Sequence, residues 1–330
     1  MKRDKLLLVG NALISIAIVA LILYLVGFGD VLDILKDINL FMLFLSILFL
    51  FFLDLVMALR IDILLKGMNV SVKYFDILKS HFVGMLAADF TPARTGYFLT
   101  AAGLRYNYNV PSEKAFLSIF GPQIFDFTTK LVAGTIAVFY IAYYYLKIDE
   151  WWLLLIGVVI MMAIITTMLL VLYSRRFMKL FSFAERIPVI SKFYGMVVKM
   201  QDHSHVVMKK TKEIVLIIAV GWPLKAISWY FAAKSLGITV DTPFPEPIFY
   251  LFLQPLITML EFMPTTTIAG LGLSEAAATI IFPLFGVLPA QAITFALVVR
   301  FKTTLLHIVA VPEALKIARK ENINQILSQT

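Results

Sequence analysis

The chain has 330 residues, 61% of them hydrophobic and only 15% charged, with a mean hydropathy of +0.90. A soluble protein would have to hide several apolar runs of about 20 residues, and there is too little polar sequence to cover them, so composition defines a polytopic helical membrane protein. The lack of cysteine excludes disulfides, thiolate metal sites and a cysteine nucleophile. The net charge of +8 fits basic cytoplasmic loops and anionic lipid surfaces, and gives no reason to expect nucleic acid.

In chain order, a basic start (Lys2, Arg3, Lys5) precedes an apolar run from Leu6 to Val26, too long for a signal-peptide core and read as an uncleaved first span. A loop with Asp30, Asp33, Lys36 and Asp37 follows. A second span covers about Leu40 to Leu59, with Asp54 inside and Arg60 at its end; Lys66, Lys73 and Lys79 then mark the cytoplasmic side. From Tyr74 to Arg105 the hydrophobicity is patchy and Pro92 breaks the chain, which predicts a re-entrant hairpin over 74–105. Pro111-Ser112-Glu113 has the pattern of a helix start. The third span runs from about Ala115 to Tyr144 and the fourth from Trp151 to Tyr173.

Residues 174–212 carry nine Lys or Arg against two acids and read as a basic cytoplasmic linker. Within it, Phe177 to Phe183 and Phe193 to Met200 suit either amphipathic helix on the membrane or a solvated linker. His203-Ser204-His205 is a weak metal pattern, since zinc takes about four well-spaced ligands, and neither a metal nor a cofactor is expected. The fifth span covers about Ile214 to Leu236, with a bend expected at Pro223. A broken stretch over 248–286 and a last span from Ala290 to Val311 complete the chain. The expectation is therefore one transmembrane domain in the plasma membrane: about six full spans, two re-entrant helical hairpins, and both termini cytoplasmic.

The two broken stretches carry most of the information. Glu261 to Ala278 holds two acids, Pro264, three threonines, Gly270 and Gly272 within an apolar region. Ala88 to Tyr97 has the same character, with Asp89, Pro92, Arg94 and Gly96. Non-helical backbone at membrane depth survives only where protein buries it or it lines a wet cavity. Two interrupted segments in corresponding halves point to a transporter's binding site, the alternative being two ordinary loops. The order span, hairpin, span occurs at 38–145 and at 213–312 with opposite sidedness, which predicts inverted structural repeats.

An ionisable group at the bilayer centre costs about 2.5–3.5 kcal/mol on insertion scales. This chain has Asp54, Asp89, Arg94, Asp126, Lys130, Lys225, Glu261, Glu275, Arg300 and Lys302 in apolar segments. Asp126 and Lys130 are spaced to pair on one helix face. Glu275 falls where an acid caps the positive end of a half-helix. Arg300 is mid-span, with Glu275 or Glu261 as partner by sign and depth. Arg94, beside a helix break, can hold a phosphate with two parallel hydrogen bonds or reach for the headgroup layer. No serine elbow, metal-spaced His and carboxylate set, or phosphate-cradling glycine loop is visible, so no catalytic residue is assigned.

With these residues in view, the chain resembles the lysylphosphatidylglycerol synthase transmembrane family, the membrane module of multiple peptide resistance factor, which also occurs as stand-alone proteins. Pro92-Ala93-Arg94-Thr95-Gly96 is similar to the family's Pro-x-Arg-x-Gly-Glu signature, with Tyr97 in place of the acid. Ala269 to Ala277 is similar to its Gly-Gly-Leu-Gly-x-x-Glu-Ala-Ala signature, with Ala269 for the first glycine and Ser274 for the usual arginine. Arg300 fits the last span, and of the middle span's Glu-Arg-x-x-Asp only Asp126 is present, after Pro122 and Gln123. The resemblance implies a transporter that flips a charged-headgroup lipid, a phospholipid or a polyprenyl-phosphate-linked carrier. Arg94 and Arg300 would hold the headgroup, while Glu275, Asp126 with Lys130, and Asp89 would balance charge or relay protons, so the expected partners are a membrane lipid and a coupling proton or ion. The rival reading is a membrane-embedded enzyme, or an enzyme's partner, in lipid or glycan synthesis.

Overall fold

The computed structural model describes residues 2–147, 151–183, 188–261, 267 and 270–317, and among them all regular structure is helical. Among the described residues five helices are long and apolar enough to cross a membrane, and a sixth span is counted if the first two helices form one bent crossing. Helix α1 (Lys2–Val26) meets α2 (Phe28–Lys36) at 86° across Gly27, whose φ of 102° needs a glycine. The segment expected to be a loop after the first span is thus helical: Val31 is buried, and a Lys36–Asp33 pair at 2.6 Å closes its exposed side.

Helix α3 (Leu40–Gly67) begins where the Asn39 side chain accepts the Met42 N–H at 3.1 Å. It runs on to Gly67, so Arg60, expected at a span's end, is enclosed in the bundle at 2% exposure. The broken stretch follows as α4 (Tyr74–Ala88), a 3-10 turn over Pro92–Phe98 and α5 (Leu99–Tyr108). Helices α4 and α5 pack together because they have almost no side chain between them. A Cβ on Gly84 would lie 1.9 Å from Thr100 Oγ1, and one on Gly96 would lie 2.4 Å from the Ala87 carbonyl.

Helix α6 (Ser112–Ile141) starts after Pro111, with Glu113 in its first turn, and continues through Pro122. Helix α7 (Trp151–Tyr173) is the most apolar and least buried candidate span, as suits a helix facing hydrocarbon. The basic linker is largely helical and packed: α8 (Arg175–Leu180), α9 (Pro188–Asp202) and α10 (Ser204–Lys209) bury Met178, Tyr194, Val197, Met200, Val206 and Val207 against the bundle. A solvated linker is therefore excluded for these residues.

Helix α11 (Thr211–Ser235) is continuous through Pro223 and packs along α3, where Gly221 lets Met57 and Leu53 approach. Helix α12 (Glu246–Glu261), the short α13 (Leu273–Ile281) and α14 (Pro289–His307) follow, and the chain stays helical to residue 317. A long helix, two short helices around a break and a second long helix thus occur twice, as α3–α6 and as α11–α14. The contacts cross over: α3 packs on α11, α6 on α12, and α14 on α4. One apolar core gathers Ile61, Leu64, Leu104 and Leu117, and the other gathers Trp229, Tyr250, Phe282 and Phe295.

The tight α4–α5 contact predicts that Gly84→Val destabilises by about 1–3 kcal/mol, the usual cost of overpacking. Gly157→Ala, with nothing within 4 Å of the new methyl group, is expected to stay within about 1 kcal/mol of the parent. Thermal melting of both variants in detergent checks this; equal melting would contradict the close approach.

Candidate functional site

The first break is built from local bonds. Thr91 Oγ1 donates to the Ala87 carbonyl at 3.0 Å and accepts the Gly96 N–H at 2.7 Å, closing the turn that Pro92 opens. Arg94 has φ 53°, a left-handed backbone that costs a residue with a Cβ about 1 kcal/mol or more and is held only by its surroundings. Its Nη2 donates to Asp89 Oδ1 at 3.1 Å, and Asp89 stands at the C-cap of α4.

The second break ends at Gly270 and Gly272, with φ of 70° and 91°. Pro264 lies outside the described residues. Glu275, fully buried, opens α13: its Oε2 accepts the Gly272 N–H at 2.7 Å and the Ser274 hydroxyl at 3.0 Å. Its Oε1 accepts from Arg300 Nε at 2.9 Å, and Arg300 Nη2 donates to Ser274 Oγ at 2.8 Å. One carboxylate therefore satisfies a broken helix end and an intramembrane arginine together. Of the two partners expected for Arg300 by sign and depth, this one is Glu275.

Two adjoining chambers collect these groups. Asp89, Arg94, Glu275, Arg300, Lys225 and Lys302 line one, of about 780 Å³ of empty space counting its mouth. Arg60, His81, Arg94, Asp126, Lys130 and Lys225 are among the lining of the other, of about 890 Å³ on the same measure. Leu53, Met85, Arg94 and Lys225 line both. Lys130 Nζ donates to Asp126 Oδ2 at 3.0 Å, the spacing legible in the sequence. Across both chambers six cations (Arg60, Arg94, Lys130, Lys225, Arg300, Lys302) face four carboxylates (Asp54, Asp89, Asp126, Glu275). That excess favours an anion.

Sequence reasoning singled out Asp54, Asp89 and Arg94 but missed the two histidines that tie them together. Asp54, 1% exposed, has a histidine on each oxygen: His81 Nε2 to Oδ1 and His307 Nε2 to Oδ2, both at 3.2 Å. His307 Nδ1 meets Asp89 Oδ2 at 3.1 Å, and the Tyr97 hydroxyl lies 3.3 Å from His81 Nδ1. Both ring nitrogens of His307 face carboxylate oxygens, which an imidazolium satisfies by donating twice. The result is a continuous chain Tyr97–His81–Asp54–His307–Asp89–Arg94 across α3, α4 and α14. The available signal was an ionisable group in an apolar run; nothing in the sequence pairs residues 54 and 307. Lys302 is held differently, by Ser46 Oγ, Ser228 Oγ at 2.6 Å and the Ser228 carbonyl at 3.0 Å, where the two serines already bond across α3 and α11. Among the described residues no group of three or more His, Asp or Glu side chains has the geometry to hold a metal ion.

Such a bundle, helical throughout, with two interrupted helix pairs around charged chambers, defines a multi-pass membrane protein with a polar site at membrane depth. A family model described as the lysylphosphatidylglycerol synthase TM region matches residues 11–310, and the chain belongs to that family. Membership indicates a membrane module in lipid metabolism or transport. A search of curated proteins found no match.

Removing the Glu275 side chain should destabilise by about 3 kcal/mol, because it strands Arg300 and uncaps α13. Glu275→Ala and Arg300→Ala are expected to be non-additive, with a coupling of about 1–3 kcal/mol in a double-mutant cycle. Melting of the single and double variants measures it; strict additivity would show that the pair contributes nothing.

Proposed function

We propose that this protein moves a charged-headgroup lipid, a phospholipid or a polyprenyl-phosphate-linked carrier, between the leaflets of the plasma membrane, with both termini on the cytoplasmic side. The observation that carries the reading is that Arg94, in the first break, lines both chambers, one of which also holds Glu275 from the second break. A headgroup there would exchange water for fixed charges while its tails stay in the bilayer. Arg94 and Arg300 are the groups to hold it, Glu275 and Asp126 with Lys130 balance charge, and Asp89 sets the position of Arg94. The twofold exchange of contacts between α3–α6 and α11–α14 supports an inverted repeat, in which the units rock against each other around the site.

The histidine and carboxylate chain suits coupling to protons. Asp89 holds Arg94 with one oxygen and His307 with the other, so a change of charge on His307 alters how firmly Arg94 is held. The charged and titratable groups facing His307 are Asp54 from α3 and Asp89 from the first break, with His81 beyond Asp54.

In proteoliposomes with a headgroup-labelled lipid, Arg94→Ala combined with Glu275→Gln is expected to slow translocation about tenfold or more, the loss of at least one charge-assisted contact. His307→Gln should leave basal movement measurable but remove its response to an imposed pH gradient. Parental rates from the double variant would sink the transport reading, and a retained gradient response in His307→Gln would sink the proton relay.

A further inference from the structure

The segment that follows α7 presents a basic and aromatic face that the bundle does not cover. Helix α7 has 23 residues, about 35 Å of helix against a hydrocarbon core of about 30 Å. Trp152 and Tyr173, both exposed, stand at its two ends. Residues 174–183 therefore begin where hydrocarbon gives way to headgroups. They carry Arg175, Arg176 and Lys179 and no acid.

The inward side of this segment is fixed. Ser174 Oγ accepts the Phe177 N–H at 3.1 Å and starts α8. Met178 is buried, and its carbonyl accepts the Tyr194 hydroxyl at 3.1 Å. The other side is open: Leu180, Phe181 and Phe183 are 72%, 41% and 60% exposed. The Phe181 ring contacts those of Phe177 and Phe183, with centroids 5.3 and 6.3 Å away. Arg175 pairs with Asp202, whereas Arg176 and Lys179 are exposed and have no ion-pair partner among the described residues. Water penalises such an apolar face. The membrane interface rewards it, because the rings leave water there and the neighbouring cations meet lipid phosphates.

We propose that residues 174–183 are an interfacial anchor for the anionic phospholipids of the leaflet in which α7 ends. Leu180, Phe181 and Phe183 sink to the boundary between headgroups and chains, and Arg176 and Lys179 hold the headgroup phosphates. The occupant is a lipid surface because α7 delivers the segment to the headgroup layer, and because the stretch is basic with no acid of its own. None of these residues lines either chamber, so the anchor stands or falls independently of lipid translocation.

The chain has no cysteine, so Leu180→Cys and Phe183→Cys each give a single attachment point for a nitroxide label. The labelled full chain is placed in nanodiscs of phosphatidylcholine alone or mixed with phosphatidylglycerol. Collisions of the label with oxygen and with a water-soluble nickel chelate are then compared. In the mixed discs both labels should meet oxygen more than nickel, a shift to greater depth relative to phosphatidylcholine alone that added salt reduces. Arg176→Gln combined with Lys179→Gln should abolish that shift and still melt with the parent, since neither cation has an ion pair to lose. A lowered melting point in that double variant would mark the two cations as structural and overturn the proposal. Free access of nickel to both labels in the mixed discs would make the face a solvated one and overturn it too. Equal depth in the two lipid compositions, or a shift that survives in the double variant, would remove the assignment to anionic lipid. Protection that appears only when several copies share a disc would mark a contact between copies of the chain, and so contradict a lipid occupant.

Discussion

Asp54 holds the bundle's polar centre together. A fully buried carboxylate in an apolar helix is tolerated only when its charge is answered, and here each oxygen meets a histidine from a different element. His307 passes the interaction to Asp89, and Asp89 passes it to Arg94. The first broken helix, which could not stand in hydrocarbon on its own, is thereby fixed to α3 and α14. Without that linkage the left-handed backbone at Arg94 would have no reason to persist.

The second break answers the same constraint with fewer groups. Glu275 serves the exposed end of α13 and the guanidinium of Arg300 at once, so neither the broken backbone nor the arginine is left unsatisfied. Lys302 shows a third solution, an ammonium held by hydroxyl and carbonyl oxygens where α3, α11 and α14 meet. The three solutions border the two chambers, whose lining holds six cations against four carboxylates. A lining of that sign favours an anion.

What the sequence made legible follows from what is local. Asp126 and Lys130 lie four residues apart on one helix, so their pairing is readable without a fold. Pro92, Gly96, Gly270 and Gly272 announce breaks because backbone sterics are a property of single residues. Glu275 and Arg300 could be matched by sign and depth. His81 and His307 could not, because their shared partner is 27 residues from one and 253 from the other. The sequence places Arg60 at the end of the second span, yet α3 continues to Gly67 and carries the arginine inside. The loop expected after the first span and the linker after the fourth are helical because their apolar residues find cover on the bundle, a tertiary effect that their charge content conceals.

The central proposal is that a lipid headgroup reaches Arg94, whose side chain lines both chambers. Density for native lipid in an experimental map of the protein in nanodiscs tests it most directly. The expected result is a phosphate-sized feature within hydrogen-bond distance of the Arg94 guanidinium, continuous with a chain leading to the bilayer. Lipid confined to the outer belt, with Arg94 closed off from any bound group, would contradict it.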